Sequence, residues 1–147
     1  MTKYFNSTFT HNYIIGVDRN GQVEIYFVEL DLEGLRLMFN SLTTTRGHKV
    51  YRYSSTKYKL EYLKQHATKH YMLCDSTTFT ASRRKRINKK GKEYTENRGE
   101  CFEYLVSKKF DVKQNTLPNL SHKNGGDVII DGIAYQVKFE RSGIVVD

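Results

Sequence analysis

Residues 127–139 read Asp-Val-Ile-Ile-Asp-Gly-Ile-Ala-Tyr-Gln-Val-Lys-Phe. The Asp131-Gly132 pair between two apolar runs is a strong signal for a two-residue hairpin turn. Closing that turn pairs Ile130 with Ile133, Ile129 with Ala134, Val128 with Tyr135 and Asp127 with Gln136. The Cβ atoms of Asp127 and Gln136 then lie roughly 5 Å apart. Lys138 follows Gln136 by two residues and points to the same face. The opposite face carries Val128, Ile130, Ile133, Tyr135, Val137 and Phe139, all apolar or aromatic. One face reads as core; the other groups a carboxylate, an amide and an amine, a combination suited to a metal and a phosphate.

Outward from this hairpin, the preceding segment 116–126 is polar and ends in Gly125-Gly126, which lets the chain turn tightly into Asp127. Before it, residues 96–109 have helical spacing. Cys101, Phe102, Leu105 and Val106 form an apolar stripe, with Glu96, Glu100 and Glu103 on a flanking face. Phe110–Val112 reads as the beginning of a strand, and residues 144–146 as a last strand. Further upstream, residues 13–17 and 22–28 read as strands joined by a turn at Asp18-Arg-Asn-Gly21. Residues 31–42 follow as a helix with Asp31 as N-cap. A second helix starts at Ser54 or Ser55 and runs towards His66, and a short strand spans Tyr71–Cys74. Phe79 to Ile87 reads as a strand returning at Glu93–Tyr94, with a disordered loop as the alternative.

The chain has 147 residues and a net charge of +8. Its length fits one domain able to bury a proper core. Residues 83–92 contain seven cations, Arg83, Arg84, Lys85, Arg86, Lys89, Lys90 and Lys92, and no acid. Taking those seven from the total leaves +1 for the remainder, so the basic excess is one local device. A block of this kind suits a polyanion, foremost nucleic acid; a solvated loop or a targeting signal is the plainer reading. No run of 18 apolar residues is present, and residues 1–10 lack the apolar core of a signal peptide. Two cysteines do not make a disulfide framework. These features predict an intracellular, cytoplasmic setting without membrane association.

Helix, polar loop, Asp127, hairpin and Gln136-Val-Lys138 together resemble the core of the PD-(D/E)XK, or restriction-endonuclease-like, nuclease superfamily. The resembling stretch covers about residues 97–140. Arg98-Gly-Glu-Cys-Phe-Glu103 is similar to the Gly-x-x-x-Glu pattern of that family's helix, as in archaeal Holliday-junction resolvases. The resemblance maps the helical glutamate onto Glu103, with Glu100 as the alternative, the central aspartate onto Asp127, and the lysine onto Lys138. It departs from the family at Gly126, where a proline often stands, and at Gln136, where the family has glutamate. Glutamine offers a carbonyl oxygen to a hard cation but no charge.

What the resemblance implies is an α/β fold with a central mixed sheet flanked by helices. In a single domain of residues 1–147, residues 96–147 form the nuclease-like core. Residues 76–95 form a basic arm, and residues 1–75 an N-terminal α+β extension for recognition or dimerisation. The implied activity is Mg²⁺-dependent hydrolysis of DNA phosphodiester bonds by an endonuclease, with Mn²⁺ as a substitute. Asp127, Glu103, Gln136 and the Val137 carbonyl supply oxygens, while Lys138 orients the attacking water or stabilises the pentavalent state. Cutting two strands points to a homodimer. A restriction-type enzyme, a phage or mobile-element nuclease and a junction resolvase all fit. So does a non-catalytic nucleic-acid-binding or regulatory protein on the same fold, which Gln136 favours.

Other constellations carry less. His66, His70 and Cys74 are spaced by four but lack the glutamate of a metalloprotease helix. His122, in the loop before Asp127, is a candidate phosphate contact. Cys101 reads as a small core residue. The tyrosines and lysines of residues 51–71 read as core aromatics with solvated cations. No Gly-Lys-Ser/Thr loop is present, so no nucleotide cofactor is expected.

Overall fold

The computed structural model describes residues 11–39, 56–114 and 127–140. In chain order these form β1 (His11–Arg19), β2 (Gln22–Leu30), α1 (Leu32–Phe39), α2 (Thr56–His66), β3 (Lys69–Asp75), α3 (Ser76–Ala81), β4 (Lys85–Ile87), β5 (Glu93–Thr95), α4 (Arg98–Lys109), β6 (Val128–Ile130) and β7 (Ile133–Phe139). The protein is α/β. A curled, mixed five-stranded sheet has the order β3-β2-β1-β7-β6, and β4 pairs with β5 in a separate ribbon. β1 and β7 are parallel, and the other pairs are antiparallel.

Two tight turns set the sheet. Asn20-Gly21 and Asp131-Gly132 both have positive φ at both central residues, 53° and 77° in the first and 52° and 81° in the second. This is the turn whose twist matches that of the flanking strands. The second turn produces the expected register, Ile130 with Ile133, Ile129 with Ala134 and Val128 with Tyr135. Ile133, expected in the core, is 43% exposed, although its cross-strand partner Ile130 is buried.

Both faces of the central strands are covered, which is why β1 and β2 read as nearly continuous apolar runs. On one face Ile14, Val23, Ile25, Phe27, Val137 and Phe139 pack against Phe79 of α3 and Cys101, Phe102 and Val106 of α4. On the other, Ile15, Val17, Tyr26, Val28 and Leu30 meet Met38, Leu60 and Leu63 from α1 and α2. Gly16 sits under the Phe102 ring, and a Cβ there would collide with it. A buried ion pair, Lys59 Nζ to Glu140 Oε2 at 3.3 Å, ties α2 to the residue after β7. Residues 11–75 supply three strands of the same sheet that β6 and β7 complete.

Three local expectations are corrected. Phe79 lies on a helix, not a strand. Asp75 caps α3 by accepting the Thr78 N–H at 2.6 Å, and Phe79 is buried beneath it. α4 starts at Arg98, not Glu96, because Asn97 accepts the Glu100 N–H and the Glu100 carboxylate accepts the Asn97 N–H. Phe110–Val112 is a helix end and turn, with Asp111 at φ 54°; the pairing falls later, where Gln114 bridges Val128. The segment 116–126, including His122, Gly125 and Gly126, lies outside the described residues, as does 144–146. Among the described residues no helix is long and apolar enough to cross a membrane.

Candidate functional site

β6 begins at Val128, opposite Tyr135, while β7 continues to Phe139. Residues 137–139 therefore have no β6 partner along one edge. Asp127 stands at this point. Its N–H donates to the Tyr135 carbonyl at 2.7 Å, and its Oδ2 accepts the Val137 N–H at 2.8 Å. The carboxylate is thus fastened across β7 where the ladder ends, and Oδ1 makes no hydrogen bond among the described residues. The Val137 carbonyl leaves the strand on the same side as its N–H, towards Asp127.

α4 crosses this edge. Its apolar stripe enters the core through Cys101, Phe102 and Val106, leaving Glu103 on the flank. Glu103 lines an open groove of about 550 Å³ together with Val137, Lys138, Phe139, Arg83 and the first residues of α4, including Arg98. Burial, followed by the negative charge of Asp127, raises the Glu103 carboxyl to about 7; Lys138 opposes the rise and Glu100 adds to it. The structure therefore brings Glu103, Asp127, Val137 and Lys138 into one electrostatic neighbourhood. The Asp127 charge makes Glu103 costlier to ionise, and a cation beside both carboxylates relieves that cost.

Among the described residues no three His, Cys, Asp or Glu side chains form a cluster able to hold a metal ion. The donors on offer are two carboxylates and a main-chain carbonyl. That sparse oxygen set fits Mg²⁺, which keeps most of its water, better than metals that prefer nitrogen and sulfur cages.

Gln136 occupies a different position. It is partly buried and sits beside Tyr13 in the parallel ladder, outside the groove lining. Burial and then the Asp127 charge push the Tyr13 phenol up, so Tyr13 also belongs to this neighbourhood. Nothing near residue 13 in sequence announces this; the β1–β7 pairing alone creates it. Glu100 is engaged in the α4 cap and accepts the Tyr94 hydroxyl at 3.2 Å.

The basic run divides into distinct groups. Glu96 is fully buried and accepts from Arg84 at Nη2 (2.8 Å), Nε (3.2 Å) and the backbone N–H (2.9 Å), and from Arg86 Nη1 (3.2 Å). The Arg84 guanidinium also lies over the Tyr104 ring, 3.6 Å from its centroid. These bonds, led by the Arg84 side chain, hold the Glu96 carboxyl down at about 2. Arg83 Nε donates to the Glu96 carbonyl at 2.7 Å, which turns Arg83 towards the groove. Lys85, Lys89, Lys90 and Lys92 are exposed on the β4–β5 hairpin. Glu96 and Arg98 are the functional candidates that sequence reasoning missed. The available signal for Glu96 was an acid one residue past the return strand, opposite Arg84.

The His66, His70 and Cys74 series is split between the end of α2 and β3, and His70 Nε2 lies 3.1 Å from Glu24 Oε1. Cys101 is buried in the core, as expected. Tyr62 and Tyr71 pack against the two cores. No family model, no curated protein and no solved structure matches this chain.

Proposed function

We propose that the chain is a Mg²⁺-dependent DNA endonuclease with a restriction-endonuclease-like core. The observation that supports this best is the meeting of Glu103, Asp127, the Val137 carbonyl and Lys138 where β7 runs on past the start of β6, beside a cation-lined groove. Glu103, Asp127 and the Val137 carbonyl would hold the ion, which supplies an acidified water and neutralises charge on phosphate. Lys138, exposed at the groove, orients that water or stabilises the pentavalent state as a fixed cation. Asp127, itself outside the groove lining, is kept beside it by the Val137 N–H, and Val137 does line the groove. The lysines of the β4–β5 hairpin track the phosphate backbone. Cleavage of both strands calls for two sites, and hence a homodimer in an intracellular setting.

The experiment is incubation of supercoiled plasmid, branched DNA and RNA with Mg²⁺ or Mn²⁺, comparing wild type with Lys138→Ala. Metal-dependent nicking by the wild type, lost in the variant, supports the assignment. Preference for the branched substrate would narrow it to a junction resolvase. Binding without cutting of any substrate would sink it in favour of the rival reading, a non-catalytic nucleic-acid-binding protein. That rival draws on Gln136, an uncharged residue outside the groove lining. Gln136→Glu decides its place. Retained or tighter Mn²⁺ binding is expected if residue 136 is a ligand, and a large loss contradicts that role.

A further inference from the structure

We propose that Arg83 and Arg98 form a seat for a nucleic-acid phosphate adjoining the candidate metal site, distinct from the lysines of the hairpin. The inference deepens the nucleic-acid reading above and rests on it. Three cations, Arg83, Arg98 and Lys138, line one groove against a single carboxylate, Glu103. The groove is therefore strongly cationic. Arg84 and Arg86 do not share this task, because both guanidinium groups are turned to the buried Glu96 carboxylate, which offsets one of their two charges.

Arg83 differs from both. Its Nε is bonded to a neutral carbonyl, and among the described residues its terminal nitrogens make no hydrogen bond. A guanidinium held at Nε presents its two terminal N–H groups as a preset fork, the geometry that matches two phosphate oxygens. Arg98, exposed at the start of α4, makes no hydrogen bond or ion pair through its side chain among the described residues. The seat is a property of these side chains and not of the helix end, since the Asn97–Glu100 capping box already uses backbone N–H groups there. Glu96 thus has a second effect. By consuming Arg84 and Arg86 and holding Arg83, it makes the base of the basic arm one wall of the groove. The occupant is the sugar-phosphate backbone.

The test is binding of a labelled 20-base-pair duplex in the absence of divalent metal, over a series of salt concentrations. Each phosphate contact contributes about 0.9 to the slope of log affinity against log salt. Arg98→Ala is expected to reduce that slope by about 1, and Arg83→Ala with Arg98→Ala by about 2, with at least a tenfold loss of affinity. Lysine at both positions should restore most of the slope. If Arg83→Ala disturbs the fold, seen as a lowered thermal midpoint, Arg98→Ala and Arg98→Glu decide alone. Unchanged slope and affinity in the Arg98 variants would overturn the seat, as would equal binding of polyglutamate. A wild type that cuts while these variants bind normally loses the seat and keeps the nuclease. A wild type that never cuts, with the slopes reduced as expected, loses the nuclease and keeps the seat.

Discussion

Asp127 Oδ2 accepts the Val137 N–H at 2.8 Å, so a side chain at the start of one strand completes the hydrogen bonding of the next strand where the ladder runs out. The same residue serves as a structural acceptor and as a candidate metal ligand. Asp127→Asn can keep an amide oxygen towards Val137 while removing the charge. Its thermal midpoint should stay within a few degrees of wild type, while Mn²⁺ affinity, followed by calorimetry, falls at least tenfold. Asp127→Ala loses the acceptor as well and should cost about 1–2 kcal/mol of stability.

Glu103 makes the metal-free protein sensitive to pH near neutrality. Its carboxyl titrates at about 7 in the folded protein, against an ordinary value of 4.5. Between these values the unfolded chain releases the proton first, so the folded state gains from staying protonated. The contribution is complete below pH 4.5 and is lost as pH rises through 7. Denaturant titrations at pH 5 and pH 8 should therefore show a drop that Glu103→Gln removes. Metal binding follows the opposite course. Because the ligand must be ionised, Mn²⁺ affinity should rise through pH 7 in wild type and stay flatter in Glu103→Gln.

Glu96 acts in the acid range. Its carboxyl, held at about 2 by Arg84 and Arg86, contributes stability above pH 4.5 that disappears as pH falls towards 2. Glu96→Gln should cost about 1–3 kcal/mol at neutral pH and flatten the acid limb of the stability curve. Trypsin cleavage within residues 85–92 should accelerate in this variant, because the hairpin loses its attachment to the start of α4.

Gly16 lies in a buried strand beneath Phe102, with no room for a side chain. Gly16→Ala should destabilise by about 1–3 kcal/mol through overpacking, measured by chemical denaturation. Phe102→Leu in the same chain should recover part of that loss. A double-mutant cycle with no coupling between the two positions would contradict the packing.

Much of this was written locally. The Asp131-Gly132 turn has only one comfortable conformation, so the register of β6 and β7 follows from two residues. Asp31 and the 3.6-residue spacing after it specified α1, and the Cys101, Phe102, Val106 stripe specified the buried face of α4. Phe79 escaped because the threonines around it, Thr77, Thr78 and Thr80, suit a strand, and the Asp75 cap was the stronger signal. Lys138 was legible as a polar residue of β7, but its place near Glu103 depends on the packing of α4 against β7.

By itself, the sequence determined the hairpins, most helices, the localisation of the charge and the candidates Glu103, Asp127 and Lys138. Those features rest on backbone preferences and side-chain periodicity over a few residues. Tertiary structure alone decided that β1 runs parallel to β7, bringing Tyr13 beside Gln136 and near Asp127. It also decided which arginines Glu96 would consume and which would face the groove. Such pairings join residues far apart in the chain and are selected by the burial of whole faces, a quantity no short stretch of sequence contains.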